Sequence, residues 1–218
     1  MYVMTLLNCS RSFIESARSA IIQDIKDMHA AELATMAYYY FDFRDVEKQN
    51  CYGLLSSLVS QLSAESDSCQ NVLYKLYSDS SRGVRKPDVD SLKTRLADML
   101  SLPGQGQIYI IADALDECPD FPGNPSNREE VLKLIKELVD LKLPNLHLCV
   151  ASRPEIDIRK VLESLTSLKI SLHDENGQKQ DITDYIKSVV HSDGNMGRWR
   201  KEDQNLVIDT LSQNVNGV

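Results

Sequence analysis

Short apolar runs alternate along this chain with stretches in which apolar residues recur every three or four positions. The runs predict strands near 36–43, 107–113, 146–152 and 167–172, because a buried strand of a parallel sheet is a continuous apolar segment. The periodic stretches between them predict amphipathic helices. Alternating strands and helices are typical of a three-layer α/β fold with a mostly parallel sheet.

Helix boundaries are indicated by capping residues. Ser126 and Glu129 have the spacing of a capping box, which predicts the start of the strongest helix. Asp181 is expected to cap a later helix, after the polar run 173–180. Helices are predicted over 15–31, 50–62, 67–77, 88–100, 126–141, 156–165 and 201–211.

The two ends of the chain differ from its middle. Residues 1–10 predict at best a short first strand. The polar run near 175 predicts a boundary between an α/β domain over 1–178 and the start of a helical region over 179–218.

The aromatic strand near 36–43 is expected to be covered on both faces, as a core strand rather than a platform on which bases stack.

Composition and charge narrow the classes of partner. The chain has 24 Lys and Arg against 32 Asp and Glu, a net charge of −8, which argues against broad binding to nucleic acid or to an anionic membrane surface. No segment approaches the roughly 18 consecutive apolar residues that span a bilayer. The five cysteines include no C-x-x-C pair, which argues against a zinc site or a disulfide framework. We therefore expect a cytoplasmic protein without nucleic acid or a membrane as a partner.

The segment after the second predicted strand contains the clearest candidate chemistry. Asp113 follows an apolar run directly, and the carboxyl ends of parallel strands are where ligands bind in open α/β sheets. Nucleoside triphosphate hydrolysis needs a carboxylate near Mg²⁺ and a second group near the attacking water, a role open to Asp116 or Glu117. The alternative is that these acids are solvated or cap the next turn.

Arg153 follows the next strand along the chain, at the same predicted edge. A guanidinium has five donors in a fixed fork and suits phosphate. The alternative is a local ion pair with Glu155 or Asp157. Together the two strand ends predict a site for phosphate and magnesium.

Three segments resemble one family. Residues 38–45 (YYYFDFRD), 113–118 (DALDEC) and 151–155 (ASRPE) are similar to motifs of the NACHT-type P-loop NTPase domains of fungal NOD-like receptors, a STAND class also described as nephrocystin-3-like N-terminal domains. The three motifs occur in the order and spacing of the family. The resemblance extends from about Ser19 to the C-terminus.

The resemblance implies a function and a set of roles. Family members are signal-transducing ATPases, nucleotide switches that bind Mg-ATP or Mg-ADP between an effector domain and a repeat-bearing sensor. By resemblance, Asp113 is the Walker B ligand of magnesium, Asp116 and Glu117 are the catalytic acids near the water, and Arg153 is the sensor of the terminal phosphate. Full-length NACHT proteins, or a second copy of this chain, are the implied partners.

The chain departs from the family at the phosphate loop. It has no G-x-x-x-x-G-K-[ST] sequence, its first glycine is Gly53, and Phe13, Ile14 and Glu15 occupy the place of the Gly-Lys-Ser. Replacing the lysine and the serine by Ile14 and Glu15 removes a cation and adds an anion beside phosphate, which costs several kcal/mol in a desolvated loop. We therefore expect weak ATP binding or none.

Two hypotheses of different classes remain open. In the first, the chain is part of a nucleotide-switch NTPase that retains Walker B and the sensor arginine. In the second, it is a non-catalytic interaction fragment or degenerate paralogue that keeps the fold. An unrelated magnesium enzyme would need further acids at the strand ends, for which Asp42 and Asp45 are the candidates. The sequence leaves open whether the chain is an enzyme, and a truncated gene model and a short regulator both fit it.

Overall fold

A computed structural model describes residues 2–7, 22–80, 84–121, 123, 125–153, 155–171, 175–192, 196 and 199–213. The chain divides into two compact units. The first comprises Met1–Asn8 and Ala20–Ile170, and the second Cys9–Ser19 and Ser171–Val218. Phe13, Ile14 and Glu15, on which the phosphate-loop prediction rests, lie outside the described residues.

The described strands form one five-stranded sheet in the order β2-β3-β4-β1-β5. The pairs β1–β4, β2–β3 and β3–β4 are parallel. The N-terminal segment, for which at best a short strand was expected, supplies β1 in the interior of the sheet. The bounds are β1 Tyr2–Leu7, β2 Ala34–Tyr40, β3 Gln107–Asp113, β4 Leu146–Ser152 and β5 Leu168–Ser171.

The helices of the first unit follow the predicted periodicity. Asn50, Ser66 and Asp88 each accept a hydrogen bond from a main-chain N–H in the first turn of the helix that follows. The Ser126–Glu129 capping box is present as predicted. The bounds are α1 over residues 22–30, α2 Cys51–Ser63, α3 Asp67–Asp79, α4 Val89–Leu100, α5 Asn127–Asp140 and α6 Ile156–Leu165.

Helices cover both faces of the sheet. On one face, Ile110 and Leu148 pack with buried residues of α2 to α6. On the other face, Ile25 of α1 packs against Ile111 and Cys149. Successive residues of β3 thus contribute to opposite layers, which confirms the predicted three-layer α/β fold.

One prediction about β2 is wrong. Its second half is not covered on both faces, because Tyr38 and Tyr40 are 43% and 41% exposed while Tyr39 is buried. β2 is an edge strand of the sheet, and the rings of Tyr38 and Tyr40 pack edge-on against each other. Four consecutive aromatic residues do not indicate which of them face the core.

The second unit contains α7 (Glu175–Ser192) and α8 (Lys201–Gln213), which contact each other. The prediction that Asp181 caps the first of these helices is wrong, because the helix begins at Glu175. The run before Asp181 has no apolar period, but it contains Glu175, Gln178 and Lys179, which are good helix formers. In the described part of the chain, no helix combines the length and apolar character needed to cross a bilayer.

Candidate functional site

Asp113 is the last residue of β3 and lies at the carboxyl edge of the sheet, as the sequence predicts. Its side chain is buried, with 1% of the residue exposed. Its Oδ1 accepts a 2.6 Å hydrogen bond from the main-chain N–H of Ala114, and its carbonyl accepts one from Phe41. The carboxylate is thus fixed at the end of the strand.

The chain turns sharply after Asp113. Ala114 has a φ of 55°, a left-handed conformation that is strained for any residue with a Cβ. A short 3-10 turn follows over Leu115–Glu117, held by the fully buried Leu115. This turn directs Asp116 and Glu117 to different neighbours.

Asp116 pairs with Arg153, so the structure brings together two of the predicted site residues. The main-chain N–H of Arg153 donates to Asp116 Oδ1 at 2.9 Å, and Arg153 Nε lies 3.3 Å from Asp116 Oδ2. The Asp116 side chain is 11% exposed, whereas that of Arg153 is 63% exposed. The alternative of a local ion pair between Arg153 and Glu155 or Asp157 is wrong, because those two acids face a different cation.

Glu117 points away from this pair. Its Oε2 accepts a 3.3 Å hydrogen bond from the main-chain N–H of Phe43, in the loop after β2. The two acids for which the sequence predicted one shared role therefore contact different loops.

The cation that faces Glu155 and Asp157 is Arg128, a residue that the sequence analysis missed. Its Nη1 lies 3.3 Å from Glu155 Oε2 and 3.2 Å from Asp157 Oδ2. Burial opposes its charge, but the hydrogen bonds and charges of Asp157 and Glu155 outweigh this and raise the pKa of Arg128. A signal was present, since Arg128 lies in the first turn of α5, where the helix dipole disfavours a cation.

Gly53, the first glycine of the chain, serves packing. It lies in the first turn of α2, where a Cβ would collide with the carbonyl oxygen of Glu47 and the hydroxyl of Tyr39. Its lack of a side chain therefore has a structural reason that does not involve phosphate.

The donor set at this edge fits a magnesium ion carried by a nucleotide. Asp113 offers a carboxylate, the ligand type that Mg²⁺ prefers, whereas the carboxylate of Asp116 is engaged by Arg153. Among the described residues, no three Asp, Glu, His or Cys side chains are grouped so that they could hold a metal by themselves. Mg²⁺ is commonly held by one or two carboxylates together with substrate phosphates, so this set suits a shared ion.

The order in which the chain forms its strands indicates where at the carboxyl edge a ligand would bind. From β1 the chain crosses to β2 at one edge of the sheet, and from β4 it crosses to β5 at the other. Because β1 and β4 are parallel neighbours, with Leu7 opposite Ser152, their onward connections leave in opposite directions. Such a switch point opens a crevice in which α/β proteins bind ligands, and Arg153 directly follows it.

Two proteins of known structure share this fold. The Aeropyrum pernix ORC1 protein, solved in complex with DNA, aligns with a TM-score of 0.50 and 15% identity over 84% of this chain and 43% of its own. The Aeropyrum pernix ORC2 protein, solved as ADPNP-ADP complexes, aligns with a TM-score of 0.50 and 16% identity over 96% of this chain and 50% of its own. This chain thus spans half or less of those structures. At this level of identity, the likeness shows that this chain shares their fold.

The expectation that nucleic acid is excluded as a partner is wrong. The same fold occurs in the ORC1 protein, which was solved in complex with DNA. The net charge of −8 is a sum over the whole chain, and binding to a phosphate backbone depends on the local distribution of charge. The sum therefore does not exclude this class of partner.

The resemblance seen in the sequence has direct support. No curated protein matches the sequence significantly. The sequence profile of the family described as Nephrocystin 3, N-terminal matches residues 15–153, more than half of the chain. This chain therefore belongs to the nephrocystin 3, N-terminal family.

Proposed function

We propose that this chain is the nucleotide-responsive domain of a signal-transducing NTPase that binds Mg-ATP or Mg-ADP weakly. The observation that carries this proposal is the position of the Asp116–Arg153 pair beside the switch point between β4 and β1. A partly buried acid and an exposed arginine side by side at a ligand-binding crevice suit a cation-bearing phosphate ligand.

Each residue has a separate role in this proposal. Asp113 holds the magnesium side of the nucleotide, where the bound ion would neutralise phosphate charge. Arg153 senses the terminal phosphate, because its side chain is 63% exposed and can exchange a carboxylate for a phosphate oxygen. Asp116 is the proposed acid near the attacking water, because Glu117 points away from the Asp116–Arg153 pair and contacts Phe43.

The affinity is expected to be low. The sequence contains no G-x-x-x-x-G-K-[ST], so it lacks the lysine that contacts the β and γ phosphates and the glycines that let main-chain N–H groups surround them. Arg153 must also leave Asp116 before it can contact a ligand. Nucleotide binding therefore competes with an ion pair that the domain already contains.

Thermal unfolding with and without Mg²⁺ and ADP or ATP tests the proposal. A ligand at one hundred times its dissociation constant adds about 2.7 kcal/mol to stability, which raises Tm by roughly 5–11 °C in a domain of this size. We expect a shift at millimolar nucleotide that is lost in Asp113→Asn. Asp140→Asn removes an exposed acid at the end of α5 and is the matched control, in which the shift should persist.

The absence of a shift would overturn the proposal. A cooperatively folded chain whose Tm does not respond to millimolar Mg-ADP or Mg-ATP would be a non-catalytic interaction domain that keeps the fold. A shift that survives in Asp113→Asn would also contradict it, because the nucleotide would then bind elsewhere.

A further inference from the structure

Arg128 is unusual among the cations of this protein. Of the Lys and Arg side chains that the structure describes, it alone is buried, with 6% of the residue exposed. A buried guanidinium is stable only when its donors are satisfied. Each of the three guanidinium nitrogens of Arg128 donates to an acceptor.

The guanidinium joins the two loops that flank the candidate site. On one side, Nη2 donates to the carbonyl of Asp116 and Nε to the carbonyl of Cys118, both at 2.8 Å. On the other side, Nη1 contacts the carboxylates of Glu155 and Asp157 at the start of α6. Arg128 itself belongs to α5, so one side chain connects three segments.

Both residues of the Asp116–Arg153 pair are connected to Arg128, one directly and the other through Glu155. The main chain of Asp116 is bonded to Arg128 directly. Arg153 is two residues before Glu155, and the main-chain N–H of Glu155 is bonded to the carbonyl of Arg153. Arg128 therefore links the loop after β3 to the start of α6, in addition to the pairing of β3 with β4.

We propose that Arg128 is a positioning residue that holds Asp116 in place while the Arg153 side chain exchanges between Asp116 and an anionic ligand. In the loop after β3, Arg128 donates to the main-chain carbonyls of Asp116 and Cys118. These two hydrogen bonds do not depend on where the Arg153 side chain lies. The inference rests on the proposed function for the identity of the ligand, a nucleotide phosphate. The positioning itself is testable without nucleotide.

Hydrogen exchange at the main-chain N–H of Arg153, followed by NMR, tests the positioning. This N–H donates to Asp116 Oδ1 and is protected only while Asp116 stays in place. Arg128→Lys keeps the positive charge but loses the planar guanidinium that donates to both loops. Asp157→Asn removes the charge of the carboxylate that Arg128 contacts at the start of α6. We expect exchange at Arg153 to be at least tenfold faster in both variants, with exchange at Ile110 in β3 scaling only with global stability.

Lys93→Met is the matched control. It removes another partly buried ion pair, Lys93–Glu137 at 2.9 Å, which joins α4 to α5 outside the site. Exchange at Arg153 should then change no more than at Ile110. The proposal is overturned if Arg128→Lys leaves the exchange rate of Arg153 at the wild-type value, or if Arg153 and Ile110 accelerate in parallel, as a purely structural role predicts.

A second measurement separates this proposal from the proposed function. The dissociation constant for Mg-ADP should fall by up to about fivefold in Arg128→Lys, because a displaced Asp116 competes less with the ligand for Arg153. It should stay unchanged in Lys93→Met. A wild-type chain that binds no Mg-ADP would overturn the proposed function, while exchange at Arg153 would still decide whether Arg128 positions Asp116. An unchanged dissociation constant in a variant with fast exchange would overturn the link between the two.

Discussion

The side-chain amide of Gln61 makes two hydrogen bonds to the main chain of Tyr38. Gln61 Oε1 accepts from the Tyr38 N–H at 3.0 Å, and Gln61 Nε2 donates to the Tyr38 carbonyl at 2.7 Å. Tyr38 lies on the edge strand β2, whose unpaired main-chain groups would otherwise be a template for another strand. One residue of α2 thus occupies the edge in the way an additional strand would.

Replacing Gln61 should expose this edge. In Gln61→Ala both groups of Tyr38 lose their partner, and we expect a loss of about 1–3 kcal/mol in unfolding free energy together with concentration-dependent association. Urea unfolding and light scattering measure the two effects. Gln70→Ala, at an exposed position of α3, is the control; equal behaviour of the two variants would contradict the prediction.

Ala114→Gly should stabilise the protein. A left-handed conformation costs a residue with a Cβ about 1–2 kcal/mol. Glycine makes the unfolded chain more flexible, which offsets about 0.4–1 kcal/mol of that relief, so a net gain of about 0–1.6 kcal/mol in unfolding free energy is expected. Ala97→Gly, in the middle of α4, should instead lose about 0.5–1 kcal/mol. Denaturant midpoints measure both, and losses of equal size would contradict a strained turn at Ala114.

The Asp42–Arg44 pair should contribute to acid sensitivity. Hydrogen bonds from the Arg44 side chain and main chain lower the pKa of Asp42 from 3.8 to about 2. Because the folded pKa is below the unfolded one, this contribution is fully present above about pH 4 and is lost as the pH falls toward 2. In Arg44→Gln the pKa should return toward 3.8, as measured by carboxyl ¹³C titration.

Lys75→Gln is the control for that titration, since it removes a positive charge from an exposed position of α3. The Asp42 pKa should remain near 2 in this variant. An equal rise in both variants would mean that net charge, and not the Arg44 contact, lowers the pKa.

Cys118 should be chemically inert in the folded protein. It is fully buried, its thiol donates to the Gln49 carbonyl, and burial raises its pKa to about 12. Burial likewise raises the pKa of Cys51 to about 11. Since the thiolate is the reactive form, we expect iodoacetamide at pH 8 to label both only through unfolding. Mass spectrometry of time points gives the rates, and rapid labelling of native Cys118 would contradict this assignment.

Asp116→Asn should bind nucleotide more tightly than the wild type. Without the carboxylate, Arg153 no longer has to break an ion pair before it contacts phosphate. A partly exposed pair of this kind contributes up to about 1 kcal/mol, or roughly fivefold in affinity. Calorimetric titration with Mg-ADP measures the change, with Asp140→Asn as control. Weaker binding in Asp116→Asn would mean that Asp116 itself supports the ligand.

The pattern of apolar residues was sufficient to predict the bounds of the strands in the interior of the sheet. β3 and β4 have the predicted bounds, Gln107–Asp113 and Leu146–Ser152, because both are interior strands whose sequences are continuously apolar. For the same reason Asp113 could be placed at the carboxyl edge. The error at β2 arose because its position at the edge depends on strand order, which a local pattern does not contain.

The contacts of Arg128 could not be predicted from local sequence patterns, for a related reason. Its acceptors are Asp116 and Cys118 on one loop and Asp157 on another, up to 29 residues away along the chain. No fixed spacing links such residues, and only the packing of α5 against the sheet brings them together. The partner of Arg153 was missed in the same way, since Asp116 is 37 residues distant.

The position of β1 constrains how the domain is made. Met4 pairs with Cys149, and β1 lies between β4 and β5, both of which come late in the chain. During synthesis β1 therefore emerges before the other strands of this sheet, and it has no neighbouring strand until β4 has emerged. Pairings so distant in sequence form slowly, so β1 would benefit from a chaperone that keeps it unpaired until β4 has emerged.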